Sequence, residues 1–248
     1  MHSPAYPRLE TASSAYNGAM AQSAEEVRAE HLRVLGTEFG QVYHALYNEV
    51  CWLYMKWHEY RELYATSPER LELLNNAGPF FFRVVHDVLW DDVLLHLARL
   101  TDPPRSSNKS NMTMRRLASV VSDPELALEI ERLVGEAERL CEFARDTRHR
   151  HLAHRDFELA VNCVGVRPLP PASRRDVGAA MAALAAVLNL IKAHYFGSTT
   201  AFAHFNAAGG ADDLVCRLAV AARAEARRAE RLRRGEILPE DLETPPAC

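Results

Sequence analysis

Residues 39–64 read FGQVYHALYNEVCWLYMKWHEYRELY, and the spacing within them decides the fold class. Phe39, Tyr43, Leu46, Val50, Leu53, Trp57, Tyr60 and Tyr64 step alternately by four and three, the period of an α-helix. Such a seam must lie along another helix to be buried, and its rings remove a large apolar area from water without any ligand. The stripe is therefore read as core in preference to a cofactor box or a base-stacking surface.

The same period recurs on both sides of this helix. Upstream, Ser23 followed by Glu26 is a capping box opening a short helix, which Gly36 and Gly40 are expected to interrupt or bend. Downstream, Ser67-Pro68 starts a short helix that Asn76-Ala77-Gly78 ends, and Pro79 restarts the chain. Residues 80–100 are apolar almost all round, which predicts a central helix surrounded by others. Asp102-Pro103-Pro104 stops it, a polar loop runs to Asn111, and a short helix follows from about Met112 to Val121. Ser122-Asp123-Pro124-Glu125 then opens a long helix carrying Leu126, Ile130, Leu133, Ala137, Leu140 and Ala144 on one face.

Residues 157–166 have the best extended character in the chain, and Arg167-Pro168-Leu169-Pro170-Pro171 predicts a rigid linker. Ser173 and Asp176 cap a helix whose seam is Val177, Met181, Leu184, Leu188, Ile191 and Tyr195. Gly209-Gly210 separates a final helix, Asp212 to about Arg234, from an acidic tail. Sustained period-2 alternation is nearly absent. The expected architecture is all-α: a four-helix bundle (residues 23–234) with additional N- and C-terminal helices, a loose tail at 1–22 and an acidic tail at 235–248.

Composition bounds the function. With 248 residues, 48% hydrophobic and 25% charged, the chain is no disordered segment, collagen or small disulfide scaffold. A net charge of −4 excludes a generic polyanion binder, so any nucleic-acid contact has to come from a local basic patch. Five widely spaced cysteines without a CxxC pair point to a reducing compartment, the cytoplasm, and away from a zinc ribbon. The first twenty residues show no signal-peptide pattern. The longest uncharged stretch, Val177 to Ile191, is shorter than the ~20 residues of a membrane span, so a core helix and no membrane are expected.

One segment stands apart. Beyond Ala144 the seam of the helix from Pro124 reaches Arg148, His151 and His154 instead of further aliphatics, and between Asp146 and Asp156 the chain gathers Arg148, His149, Arg150, His151, His154 and Arg155. Cations near the end of a bundle seam are costly unless an anion, a carboxylate or water answers them. The ordinary account is a helix leaving the core, with arginines favouring its C-terminal dipole and histidines in solvent.

Arg148-His149-Arg150-His151-Leu152-Ala153-His154-Arg155-Asp156 resembles the signature of the HEPN superfamily (higher eukaryotes and prokaryotes nucleotide-binding), an Arg and a His separated by four to six residues. It is most similar to the abortive-infection, AbiU-type branch, whose motif reads roughly Arg-Asn-Lys-x-x-Ala-His-Arg-Asp. Phe39-Gly40, Trp57-His58-Glu59-Tyr60-Arg61 and Ala98-Arg99-Leu100-Thr101-Asp102-Pro103 agree with that branch in the same order. His149 departs from the pattern by replacing Asn, and Arg150 stands for Lys. The resemblance, over roughly Ser23 to Leu218, implies a metal-independent ribonuclease, often a toxin or antiphage effector, with two motifs meeting at a dimer interface. Its implied partners are RNA, a second copy of the chain and an antitoxin protein, and it implies no cofactor.

In that setting Arg148 and His154 are the candidate catalytic residues. A histidine titrating near neutral pH can move the proton of a ribose 2′-hydroxyl or of the leaving 5′-oxygen, and a guanidinium stabilises charge on the phosphate. Supporting candidates are His149, Arg150, His151, Arg155 and Asp156. Asp156 is a candidate to orient His154, Asp146 one to restrain Arg148, and Arg150 a reserve phosphate ligand. Six residues on an ideal helix rotate by 600°, so Arg148 and His154 would stand about 120° apart. Either the helix unwinds before His154, or the site combines side chains from two protomers.

Two weaker signals remain. Asp92, His96 and Arg99 could be read as metal ligands, but an Asp92–His96 or Asp92–Arg99 pair fixing helix packing is the better account, and no metal site is expected. The final helix carries seven arginines, of which the Glu and Asp residues nearby can neutralise many. The rival to the nuclease reading is a catalytically silent helical module in which the basic cluster holds RNA, nucleotide or a partner's acidic surface.

Overall fold

Helix α2 (Thr37–Tyr64) organises the structure, because its seam is buried nearly end to end. The computed structural model describes residues 23–106, 109–153, 156–161, 163–204 and 209–241. Against α2 pack α1 (Ala24–Leu35), α4 (Pro79–Leu100), α5 (Arg115–Val120) and α9 (Arg174–Phe196), while α6 (Pro124–Leu140) runs along α9. Helices α2, α4, α6 and α9 enclose one core. A smaller apolar cluster, Leu63, Leu74, Phe82, Ala211 and Val215, joins α3 (Pro68–Ala77) and the start of α10 (Ala211–Arg233) to it. Among the described residues the rest is α7 (Glu142–Thr147), α8 (Phe157–Ala160), a two-stranded hairpin and short turns. The fold is all-α.

The caps expected from sequence are formed. Ser23 with Glu26 and Ser173 with Asp176 make reciprocal capping boxes, and Asp123 accepts the Glu125 and Leu126 N–H groups at 2.9 and 3.2 Å. Gly36 separates α1 from α2 at φ 80°, a conformation that favours glycine. Gly40 does something other than expected. It lies inside α2, where a Cβ would come within 2.8 Å of the His31 carbonyl oxygen and 2.9 Å of Leu32 Cα. It permits the close crossing of α1 and α2 and breaks neither helix.

Helix α4 is central only in its second half. Val93, Leu94, His96, Leu97, Ala98 and Leu100 are buried, whereas Phe80, Phe81, Val84 and Val88 are exposed. Phe82 of this half is buried against α3 and α10, but an apolar circumference could not show that its other faces are left open among the described residues. The long helix from Pro124 ends at Leu140 and resumes as α7, and its buried seam runs through Val134 and Cys141, leaving Leu133 and Leu140 half-buried. Residues 157–161 are not extended: Asp156 caps the single turn of α8, and a further turn follows at 164–165. The polar loop after α4 contains a hairpin, β1 (Arg105–Ser106) antiparallel to β2 (Lys109–Ser110).

Helix α9 is the one described helix long and apolar enough to cross a membrane. In this fold its Val177, Met181, Leu184, Leu188 and Ile191 face the core. Of the tails, 1–22 and 242–248 lie outside the described residues.

Candidate functional site

The site forms where the end of α4 meets the end of α7. Helix α4 stops at Thr101, whose hydroxyl donates back to the Leu97 carbonyl at 2.9 Å, ahead of Pro103 and Pro104, which have no N–H to give. Helix α7 passes into a π-turn, Arg148–Leu152. Ala153 N–H donates to the carbonyl five residues back, Arg148, at 2.8 Å, and Asp156 N–H reaches six residues back to Arg150 at 3.0 Å. The α-helical register is thus lost at the basic cluster itself, a widening often found at functional sites. His154 and Arg155 lie outside the described residues.

The widened turn sends its cations to different neighbours. Arg148 forms a salt bridge with Asp102, both side chains mostly buried at 15% and 16% exposure. The other terminal nitrogen of Arg148, Nη2, is 3.0 Å from His149 Nε2. Since a guanidinium only donates, a hydrogen bond here requires His149 Nε2 as the acceptor. Arg150 turns the other way: it donates to the Pro168 carbonyl at 3.2 Å and to that of Arg167, with Asp146 and Asp156 each at 3.7 Å. His151 stands exposed toward Asp91 of α4; burial raises the Asp91 carboxyl above its ordinary range, and the His151 charge opposes that rise.

Arg148 and His149 open onto a cavity of about 740 Å³ that also takes in Asp102, Arg115, Glu138 and Arg145. Arg145 is anchored by the Glu138 and Thr101 carbonyls at 2.9 and 3.3 Å, and Arg115 pairs with the Glu138 carboxylate, Nη2 to Oε2 at 2.5 Å. Three guanidinium groups therefore face two carboxylates, a cationic excess even with His149 neutral. Such a lining favours an anion.

Several expectations about individual residues change. Asp146 does not restrain Arg148; it pairs with Arg150 and, at 3.1 Å, with Arg167. Arg150 is occupied in fixing the 167–168 linker and is not directed at the cavity. Asp156 accepts the Leu159 N–H at 3.1 Å as the cap of α8, while His154, the residue it was expected to orient, lies outside the described residues. Asp92 pairs with Lys56 at 2.6 Å, while His96 Nε2 and Arg99 both approach Glu49, at 2.7 and 2.9 Å, so neither proposed Asp92 pair forms. Asp102, Arg115, Glu138 and Arg145 escaped sequence reasoning as site residues. Asp102 alone had a signal, the segment Ala98 to Pro103.

The family model for AbiU2, a HEPN family, matches residues 36–214, from the start of α2 to the first turn of α10 and across the whole π-turn. The chain belongs to the AbiU2 family of HEPN domains. No curated protein and no solved structure matches it. In this HEPN domain the segments that carried the resemblance acquire physical roles. Gly40 lets α1 and α2 touch; Glu59 accepts the Ala211 N–H at 2.6 Å and so caps α10; Asp102 holds Arg148. Most of α10 lies beyond the match, and its arginines behave largely as a solvated face. Arg228 and Arg231 pair with Asp241, and Arg233 and Arg234 with Glu230.

Proposed function

We propose that this HEPN domain is a cytoplasmic, metal-independent endoribonuclease, acting as a toxin or antiphage effector. The observation that carries the reading is the Arg148 guanidinium, fixed by Asp102 at a π-turn and opening on a cavity with a cationic excess. Arg148 binds the non-bridging oxygens of a phosphodiester and stabilises the charge that grows there in the transition state. His154 moves the proton: as base it takes the 2′-hydroxyl hydrogen while O2′ bonds to phosphorus, and as acid it delivers a proton to O5′ as the P–O5′ bond breaks. The products are a 2′,3′-cyclic phosphate and a 5′-hydroxyl. A second copy of the chain supplies the second histidine, so that one acts as base and the other as acid. The uncovered Phe81, Val84 and Val88 on α4, the helix that also carries Asp91 and leads to Asp102, support such pairing.

The test is incubation of the full chain with structured and single-stranded RNA in EDTA, comparing wild type with Arg148→Ala and His154→Ala. Cleavage by wild type alone supports the assignment. Equal cleavage by all three removes it, and binding without cleavage by wild type establishes the silent-module alternative.

A further inference from the structure

The twenty residues from Pro103 to Ser122 contain Arg105, Lys109, Arg115 and Arg116 and no acid, in a chain whose net charge is −4. Two of these cations are engaged: Arg115 with Glu138, and Arg116 with the Asn111 carbonyl. The other two are on the hairpin, one per strand, exposed and without a carboxylate partner among the described residues. The register sets Arg105 opposite Ser110 and Ser106 opposite Lys109. Adjacent pairs in a ribbon point to opposite faces, so each face of the hairpin presents one cation.

The neck of this hairpin is tied directly to the site. Asn111 N–H donates to the Pro104 carbonyl and its Nδ2 to that of Pro103, both at 2.9 Å, and Met114 N–H donates to the Leu100 carbonyl at 2.9 Å. Asp102 lies at its root. On one side is the cavity with Arg148 and His149; on the other is a second, of about 510 Å³, lined by Asn48, Glu49, Arg99, Ser110 and Asn111, and Asp102 belongs to both walls. The hairpin therefore rises from the wall shared by the two hollows, with Arg105 on one face and Lys109 on the other.

We infer that the hairpin Arg105–Ser110 is a backbone grip for single-stranded RNA, holding phosphates on either side of the one presented to Arg148. The inference rests on the nuclease reading for its choice of RNA over an acidic protein, and it adds a recognition element outside the reacting groups. Free exposed cations contact phosphates through released counterions, so their contribution depends on salt.

The experiment uses the full chain with His154→Ala, to suppress cutting, and a fluorescein-labelled single-stranded RNA in an anisotropy titration across salt concentrations. Adding Arg105→Ala and Lys109→Ala removes two contacts. The slope of log affinity against log salt should flatten by about 1.4, so the affinity advantage of the parent falls about sevenfold between ~50 and ~200 mM salt. Neither side chain has a carboxylate partner among the described residues, so the thermal unfolding curve should be unchanged. Equal affinity and slope in the two proteins overturn the grip, as does a parent that fails to bind RNA or that prefers polyglutamate. Wild-type cleavage, measured separately, distinguishes the two readings: cutting with an inert hairpin removes only the grip, and salt-dependent hairpin binding without cutting removes only the nuclease.

Discussion

Asp102→Asn takes the counter-charge from a guanidinium only 15% exposed. Breaking a fully buried ion pair on one side costs about 3–5 kcal/mol, whereas a surface pair is worth about 0–1. With both partners mostly but not wholly buried, the expected loss is about 2–3 kcal/mol, or roughly 4–12 °C in Tm for a chain of this size. Arg148→Met, which keeps the apolar stem, should cost a similar amount by stranding the Asp102 carboxylate. The double variant leaves neither charge alone, so it should lose less than the sum of the singles, with a coupling of at least ~1 kcal/mol. Urea unfolding followed by circular dichroism measures all four proteins, and the m-value should stay constant. Additive losses, or an Asp102→Asn protein within ~0.5 kcal/mol of wild type, would refute the idea that Asp102 fixes Arg148.

Other perturbations probe separate parts of the structure. Burial, reinforced by the charges of His44 and Lys192, lowers the His31 pKa from 6.5 to about 4. Between those values the unfolded chain takes up a proton that native His31 refuses, so its contribution is full above pH 6.5 and is lost as pH falls toward 4. Up to ~3 kcal/mol is at stake. His31→Phe should flatten the urea-midpoint profile over that window, and an unchanged slope contradicts the assignment. Gly40→Ala gains ~1 kcal/mol of helix propensity but meets α1 backbone, an overpacking cost of ~1–3 kcal/mol, so a net loss of stability is expected; an increase in Tm would show that α1 does not approach α2 so closely. Arg150→Gln should raise hydrogen exchange along residues 156–168 with little effect on global unfolding, because it releases the linker carbonyls from the π-turn. Unaltered exchange would mean that the linker is held by something else.

The parts legible in the sequence were those governed by local rules. The seam of α2, the capping boxes at Ser23 and Ser173 and the proline starts of α3, α4 and α6 follow from period and backbone chemistry, and the structure contains them. The errors arose where tertiary contact decides. Gly40 looked like a breaker because nothing local reveals a crossing helix. The apolar first half of α4 looked central because composition does not say what covers it. Residues 157–166 have β-branched character, yet the Asp156 cap secures a helical turn. At the site, period and charge located the basic cluster but could not assign its counterions: Asp102 is 46 residues from Arg148, and an arginine gives no sign of which carboxylate it will reach. Of the local pairings expected from proximity, Asp146 with Arg148 gives way to Asp102 beyond the end of α4, and Asp92 with His96 gives way to Lys56 and Glu49 of α2.

The claim most directly open to measurement is that Arg148 and His154 address one phosphodiester through its neighbouring 2′-hydroxyl. An oligonucleotide with a single ribonucleotide linkage, and its counterpart with 2′-deoxyribose at that position, are incubated with the wild-type chain in EDTA and the termini identified by mass spectrometry. The mechanism requires scission of the first only, with a 2′,3′-cyclic phosphate on one fragment and a 5′-hydroxyl on the other. Equal scission of the deoxy counterpart, or ends bearing a 5′-phosphate, would contradict it.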